Sequence, residues 1–283
     1  MDLASLFPDL KPWVQSLATT WPVPLIKSST WMFSVIQSLH LLALAALGGC
    51  ILLPNLRLMG VGMTSVPAAS IEKTVRPWLW GALIVLAITG VLMGMVIAPR
   101  LYARPAFLIK MIALAAALVL SLGVVGPVAK RDGVIGLTTK ILAGIAVLLW
   151  LFAIYLFGTS FGPAPGTFHI VCAGWLIVMV FGSRLTRIVL GAITAVAVVG
   201  VGFVTYGIYD PLDNYDIVME INRWAVRLMA LLVAGFLVWE FAIAKRERPA
   251  GPALARMIGL FTILAWVTVA TAGRWIGLGG SGG

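Results

Sequence analysis

Charge is what this chain has least of. Only 11% of its 283 residues are charged, against 61% hydrophobic residues and a mean hydropathy of +1.06. No soluble globular domain is built that way. Acids are scarcer still, with 10 Asp and Glu against 20 Lys and Arg. The two cysteines, Cys50 and Cys172, both fall in apolar stretches. That number and placement exclude a disulfide framework and leave small buried side chains as the default. Two histidines, His40 and His169, are too few for a multi-histidine oxidase or hydroxylase centre. P-loops, dinucleotide glycine fingerprints, nucleophile elbows and zinc-protease motifs are all missing. The chain is therefore not expected to be an enzyme acting alone; at most it is a subunit of a membrane oxidoreductase. Period-two alternation is missing as well, which excludes spanning strands.

What is present is a series of long apolar runs. A spanning helix needs roughly 20 mostly apolar residues, and eight stretches qualify: 31–53, 77–98, 106–128, 138–160, 167–183, 187–208, 222–244 and 256–276. The fifth is the shortest. The sequence predicts an all-α integral membrane protein, with residues 1–30 as an interfacial segment. There Trp13, Leu17 and Trp21 recur at fourfold spacing, as on a helix lying on the membrane surface. Asp2, Pro8, Asp9 and Lys11 interrupt this segment and argue against a signal peptide. Residues 279–283, Gly-Gly-Ser-Gly-Gly, read as a linker scar.

Eight crossings place Arg57, Lys73, Arg76, Lys130, Arg131, Lys140, Arg184, Arg187, Lys245, Arg246, Arg248 and Arg256 on one side. Most of the acids, including Asp210, Asp213, Asp216 and Glu220, lie on the other. The positive-inside rule then makes the first side cytoplasmic and puts both termini outside, in the periplasm for a bacterial inner membrane. The net charge of +10 is topological and needs no nucleic acid to explain it.

The chain also reads as two four-helix units in tandem, 31–162 and 163–278. Gly81 and Gly90 reappear 110 residues later as Gly191 and Gly200. Lys130-Arg131 returns after 115 as Lys245-Arg246, and Lys140 with Trp150 after 116 as Arg256 with Trp266. Such a repeat keeps orientation and turns about an axis along the membrane normal, and its glycines would let helices approach closely. Chance alignment of apolar sequence is the alternative.

The run "SSTWMFSVIQSLHLLALAALGG" followed by "NLRLMG", then "LYARPAFLIKM" and "LAWVTVATAGRWIG", resembles an uncharacterised family of bacterial inner-membrane proteins, a domain of unknown function. The "LHLLALAALGG" core is more distantly similar to the CopD-type copper-resistance membrane domain. The resemblance implies a helical membrane fold and little biochemistry. Relatives often carry a further histidine at the end of the third helix, where this chain has Val128 and Ala129, with Ile243 and Ala244 in the second unit. A ligand role for that histidine is absent here.

Within the apolar runs the histidines are the candidates. An ionisable residue at membrane depth is a functional-site hypothesis by default. His40 shares a face with Gln37 and Gly48, a polar notch suited to a planar cofactor. It reads as an axial ligand of haem b, a metal ligand or a proton relay; the alternative is a histidine that only packs. His169 with Cys172 forms His-x-x-Cys, a soft ligand pair for copper or haem iron, or else an interfacial histidine. From the start of its run His40 lies about nine residues in and His169 two or three, an offset of roughly 10 Å along the normal. Arg227 and Arg274 either clamp haem propionates or snorkel, and Arg223 reads as snorkelling. Met59, Met63, Met93 and Met95 hint at copper. Glu240 is expected to reach the inner interface, and Trp150, Trp175 and Trp266 to line a cofactor pocket. The acidic stretch 210–220 is expected to dock a partner or pair with local arginines. Together these residues predict a cytochrome-b-like subunit that carries electrons between a periplasmic redox partner and the quinone pool. Its rivals are a transporter for copper or a small solute, using His40, Cys50, Cys172 and the methionines, and a cofactor-free scaffold.

Overall fold

A computed structural model of the chain describes residues 2–131, 133–161, 163–244 and 252–278, with side chains outside that description at 163–166 and 277–278. Lys245, Arg246 and Arg248 of the basic side, and the Gly-Gly-Ser-Gly-Gly run at 279–283, lie outside the described residues. All regular structure among the described residues is helical.

The N-terminal segment is a chain of short helices, Leu3–Leu6, Lys11–Leu17 and Val23–Ser28, with a tight turn at Pro8–Leu10. Asp2 caps the first, its carboxylate accepting from the Ser5 N–H at 2.8 Å. The helix carrying Trp13 ends at Leu17, so Trp21 lies beyond it, next to Pro22. Leu3, Ala4, Val14 and Leu17 pack on Ala98 and Tyr102, and the Tyr102 hydroxyl donates to the Phe7 carbonyl. Trp13, Trp21 and Trp31 stay exposed, as indoles at a headgroup boundary do.

Eight longer helices follow: α1 Met32–Leu58, α2 Ala68–Val96, α3 Pro105–Lys130, α4 Leu137–Phe161, α5 Pro163–Phe181, α6 Arg184–Ile208, α7 Tyr215–Ile243 and α8 Ala253–Leu278. Seven of these are long and apolar enough to cross a membrane. The other, α5, contributes the shorter apolar helix Thr167–Phe181. Several helices outrun the apolar stretches, α1 at its C-terminal end and α2 at its N-terminal end, because hydropathy marks bilayer thickness and not where helical bonds stop. Within α3 the ladder loosens to a π-helical turn at Val119–Val125. Pro127 follows directly and has no N–H to give an α-helical bond.

Helix α8 is the most buried, α3 comes next, and α6 faces outward along most of its length. Helices α1, α3, α4 and α5 all pack on α8. Alanines such as Ala113, Ala117, Ala146 and Ala272 are buried where these helices meet, and small residues let backbones close up in lipid. The close approaches fall on glycines other than the repeated ones. A side chain at Gly259 would meet the Asn55 carbonyl of α1 at 2.8 Å, and one at Gly174 the Val233 side chain of α7 at 2.7 Å. Gly81 and Gly200 face open space. The halves also make different partnerships, α1 packing chiefly along α2 and α5 along α7.

Three tryptophans expected around a cofactor instead tie helices together. Trp266 donates its indole N–H to Ser121 Oγ at 2.9 Å, Trp150 to Thr268 Oγ1 at 3.0 Å, and Trp175 to Thr194 Oγ1 at 3.0 Å. Interhelical bonds of this kind contribute about 0.6–1.7 kcal/mol each in membranes. Glu240 likewise corrects its expectation. It is 4% exposed, and its Oε1 accepts from the Ser183 N–H at 3.2 Å and the Thr186 hydroxyl at 2.5 Å, at the N-terminus of α6. The positive end of the helix dipole favours a carboxylate there.

Candidate functional site

His40 sits eight residues into α1, about 12 Å along the helix, and turns toward α2. Its Nδ1 lies 2.8 Å from Thr89 Oγ1. The Thr89 hydroxyl has one proton, and the Val85 carbonyl takes it at 2.6 Å. With that proton on the Val85 carbonyl, Nδ1 is the donor and Nε2 the nitrogen that keeps a lone pair. The ring lies against Gly90, where a Cβ would stand in ordinary contact, 3.4 Å from His40 Cε1. A donor role for one nitrogen fixes the tautomer and aims the other, as second-shell partners of metal-bound histidines do. Gln37, one turn earlier, is exposed and makes no hydrogen bond to a described residue, so it does not complete the expected notch.

Sequence reasoning passed over one further charge within a membrane helix. Lys110 of α3 lies across Gly273 of α8, a Cβ at Gly273 standing 3.7 Å from both its Cε and Nζ. Lys110 lies about 7.5 Å from the N-terminal end of α3, and Gly273 and Thr89 about 7.5 and 10.5 Å from the C-terminal ends of α8 and α2. The signal was available: Lys110 is the sole charge in 105–129, and no acid stands three or four residues away to explain it.

His169 occupies a different place. Its ring lies on Phe157, centroids 5.0 Å apart, within an aromatic group completed by Phe161 and Trp275. Both ring nitrogens are buried without a hydrogen-bond partner. Helix α5 begins at Pro163, earlier than the apolar run, so His169 is about 9 Å in and the expected 10 Å depth offset from His40 largely disappears. Lateral position separates the two instead. Helices α1 and α5 are not packing partners, and α8 packs on both. Cys172 is exposed while the His169 nitrogens are buried, so the soft ligand pair does not face one space.

The remaining candidates scatter. Arg227 places its guanidinium 4.8 Å over the Trp224 ring on α7, which packs on α5 and away from α1 and α2. Arg223 pairs with Glu220 at 3.1 Å, and Asp210 accepts from the Leu212 N–H in a turn. Arg274 is exposed, next to Gly273. Met59 is buried at the C-terminal end of α1 and Met93 and Met95 lie near the C-terminal end of the antiparallel α2, so these methionines form no group. Cys50 packs into the α1–α2 core. Among the described residues no three of His, Cys, Asp and Glu stand close enough to hold a metal ion.

Residues 27–161 match a family of unknown function (DUF6644). The match takes in His40, Thr89, Gly90 and Lys110, and ends before His169. Neither a curated protein nor a solved structure matches the chain.

Proposed function

We propose that this chain is a cofactor-holding subunit of a bacterial inner membrane. In this proposal His40 is an axial ligand to haem b, in a path between an outer redox partner and the quinone pool. The observation that carries it is the 2.8 Å contact of His40 Nδ1 with Thr89 Oγ1, a hydroxyl also 2.6 Å from the Val85 carbonyl, an arrangement that leaves Nε2 as the nitrogen to offer a lone pair. That state suits a Lewis-acidic partner such as haem iron, because an acceptor nitrogen has nothing to donate to an anion. Haem b, when bound, supplies one-electron transfer within the bilayer. The residues fit a group with one protein ligand from this site, since His169 lies on α5, which packs on α4, α7 and α8 and not chiefly on α1 or α2. His40 binds and Thr89 orients the imidazole. An eighth crossing by α5 belongs to the same proposal and would put both termini on the outer face.

The test is an absorption spectrum of the purified protein, oxidised and then reduced with dithionite. Sharp b-type bands are expected in wild type and their loss in His40→Ala. Thr89→Val should keep the bands while weakening haem affinity roughly 10–100-fold, as loss of an outer-shell partner does. A featureless spectrum from protein expressed with ample haem would sink the proposal.

A further inference from the structure

Resting on the quinone half of that reading, and not on haem at His40, we propose that His169 and the rings packed about it bind a quinone headgroup, whose carbonyl accepts a hydrogen bond from the imidazole. A polar atom sealed from water without a partner calls for an explanation, and His169 has two. Nδ1 and Nε2 are both buried, and neither meets a hydrogen-bond partner among the described residues. The ring pairs with no acid there either. Buried in this way it is neutral, holding one N–H and one lone pair, both unused. Packing alone does not account for it, because phenylalanine would fill similar room against Phe157 without that loss. A lone water does not account for it either, since a buried water ordinarily makes about three hydrogen bonds.

Trp275 repeats the pattern. Trp150, Trp175 and Trp266 each donate the indole N–H to a hydroxyl, whereas that of Trp275 has no partner among the described residues. Both rings pack on the fully buried Phe157, His169 with centroids 5.0 Å apart and Trp275 edge-on at 6.3 Å. One phenylalanine ring thus carries two unused N–H donors. The ligand that suits them is uncharged, flat and equipped with carbonyl acceptors, as a para-quinone is. Its ring packs on aromatic faces, and its carbonyls take the N–H groups. In the reduced form a hydroxyl donates to the imidazole lone pair, so His169 serves both states. Phe161 is the last residue of α4 and Trp275 stands three residues before the end of α8. Movement of these terminal rings is the route by which a ligand reaches nitrogens that the packed aromatic group covers.

Two histidines in the chain make the test direct. Protein made with isotope-labelled histidine shows two imidazoles by NMR in detergent, and loss of one set of signals in His40→Ala assigns both. A decyl-substituted benzoquinone, the matching naphthoquinone and decylbenzene, which lacks carbonyls, are titrated in turn. At least one quinone is expected to move the His169 signals saturably while those of His40 stay in place, and decylbenzene should move neither. The tighter of the two quinones names the headgroup. By equilibrium dialysis His169→Phe, which keeps the aromatic packing, should bind that quinone roughly tenfold more weakly, the effect of losing one buried hydrogen bond. His169→Gln, which keeps a donor and an acceptor, should recover part of the loss. His169 signals that no quinone moves overturn the site, as do equal shifts with decylbenzene or an unchanged affinity in His169→Phe. Signals that report a hydrogen bond in ligand-free protein and then stay fixed assign a buried water instead. Sharp b-type bands together with an unmoved His169 overturn the quinone site alone. A featureless spectrum with a quinone-responsive His169 overturns haem at His40 and leaves this site standing.

Discussion

A carboxylate 4% exposed near the end of a membrane helix has to be answered by donors, and Glu240 is answered by the Ser183 N–H and the Thr186 hydroxyl. Replacing it with leucine removes the acceptor that the buried Thr186 hydroxyl uses, at a cost of about 1–3 kcal/mol. Glutamine keeps an acceptor oxygen and gives up the charge, so Glu240→Gln should be the milder change. Thermal unfolding in detergent should rank wild type, Glu240→Gln and Glu240→Leu in that order; an unchanged Glu240→Leu would mean the cap contributes nothing. Residue type and depth were legible for this glutamate, but its direction was not. Position along a helix says how far a side chain is from water, and only the packed neighbours say whether it turns inward. His40 was legible because histidine is rare at that depth. Lys110 escaped because topology had already accounted for basic residues as a class.

At the scale of elements the apolar runs foretold every long helix, and the fifth is the shortest, as expected. Which helices touch was not legible, because apolar sequence packs against lipid as readily as against protein. The glycines that repeat in sequence are therefore a poor guide to contact, while Gly259 carries one. A Cβ there would stand 2.8 Å from the Asn55 carbonyl and 3.0 Å from Met59 Cγ. Backbone cannot give way as a side-chain tip can, so Gly259→Leu must push α8 off α1, for roughly 1–3 kcal/mol or more. Gly81→Leu, facing open space, should cost little beyond helix propensity. Parallel melting curves test the contrast, and equal losses at the two sites would contradict the α1–α8 contact. The tryptophans show the same limit: a ring in an apolar run has no sequence mark that separates pocket lining from an indole bond to Ser121 or Thr268.

For the whole molecule the open quantity is the number of crossings, and α5 decides it. Its 19 residues extend about 28 Å, close to the roughly 30 Å hydrocarbon core. If α5 crosses, Arg184 and Arg187 fall on the same side as Arg57, Lys73, Arg76, Lys130, Arg131 and Lys140, and the positive-inside rule is satisfied throughout. If α5 only enters and returns, those two arginines face out and the 210–214 turn faces in. Single cysteines placed in a Cys50→Ser, Cys172→Ser background separate the cases. Asp9→Cys, Ser65→Cys and Asp213→Cys all sit at exposed positions outside the membrane helices. A membrane-impermeant maleimide added to intact cells should label Asp9→Cys and Asp213→Cys, and should reach Ser65→Cys only after permeabilisation. Protection of Asp213→Cys together with Ser65→Cys would make α5 re-entrant and move the second half's outer face inside. The His40 site would survive that result, because α1, α2 and α3 all precede α5 and keep their orientation. The aromatic group around His169 would not keep its place so easily, since it joins α4, α5 and α8 across the helix in question.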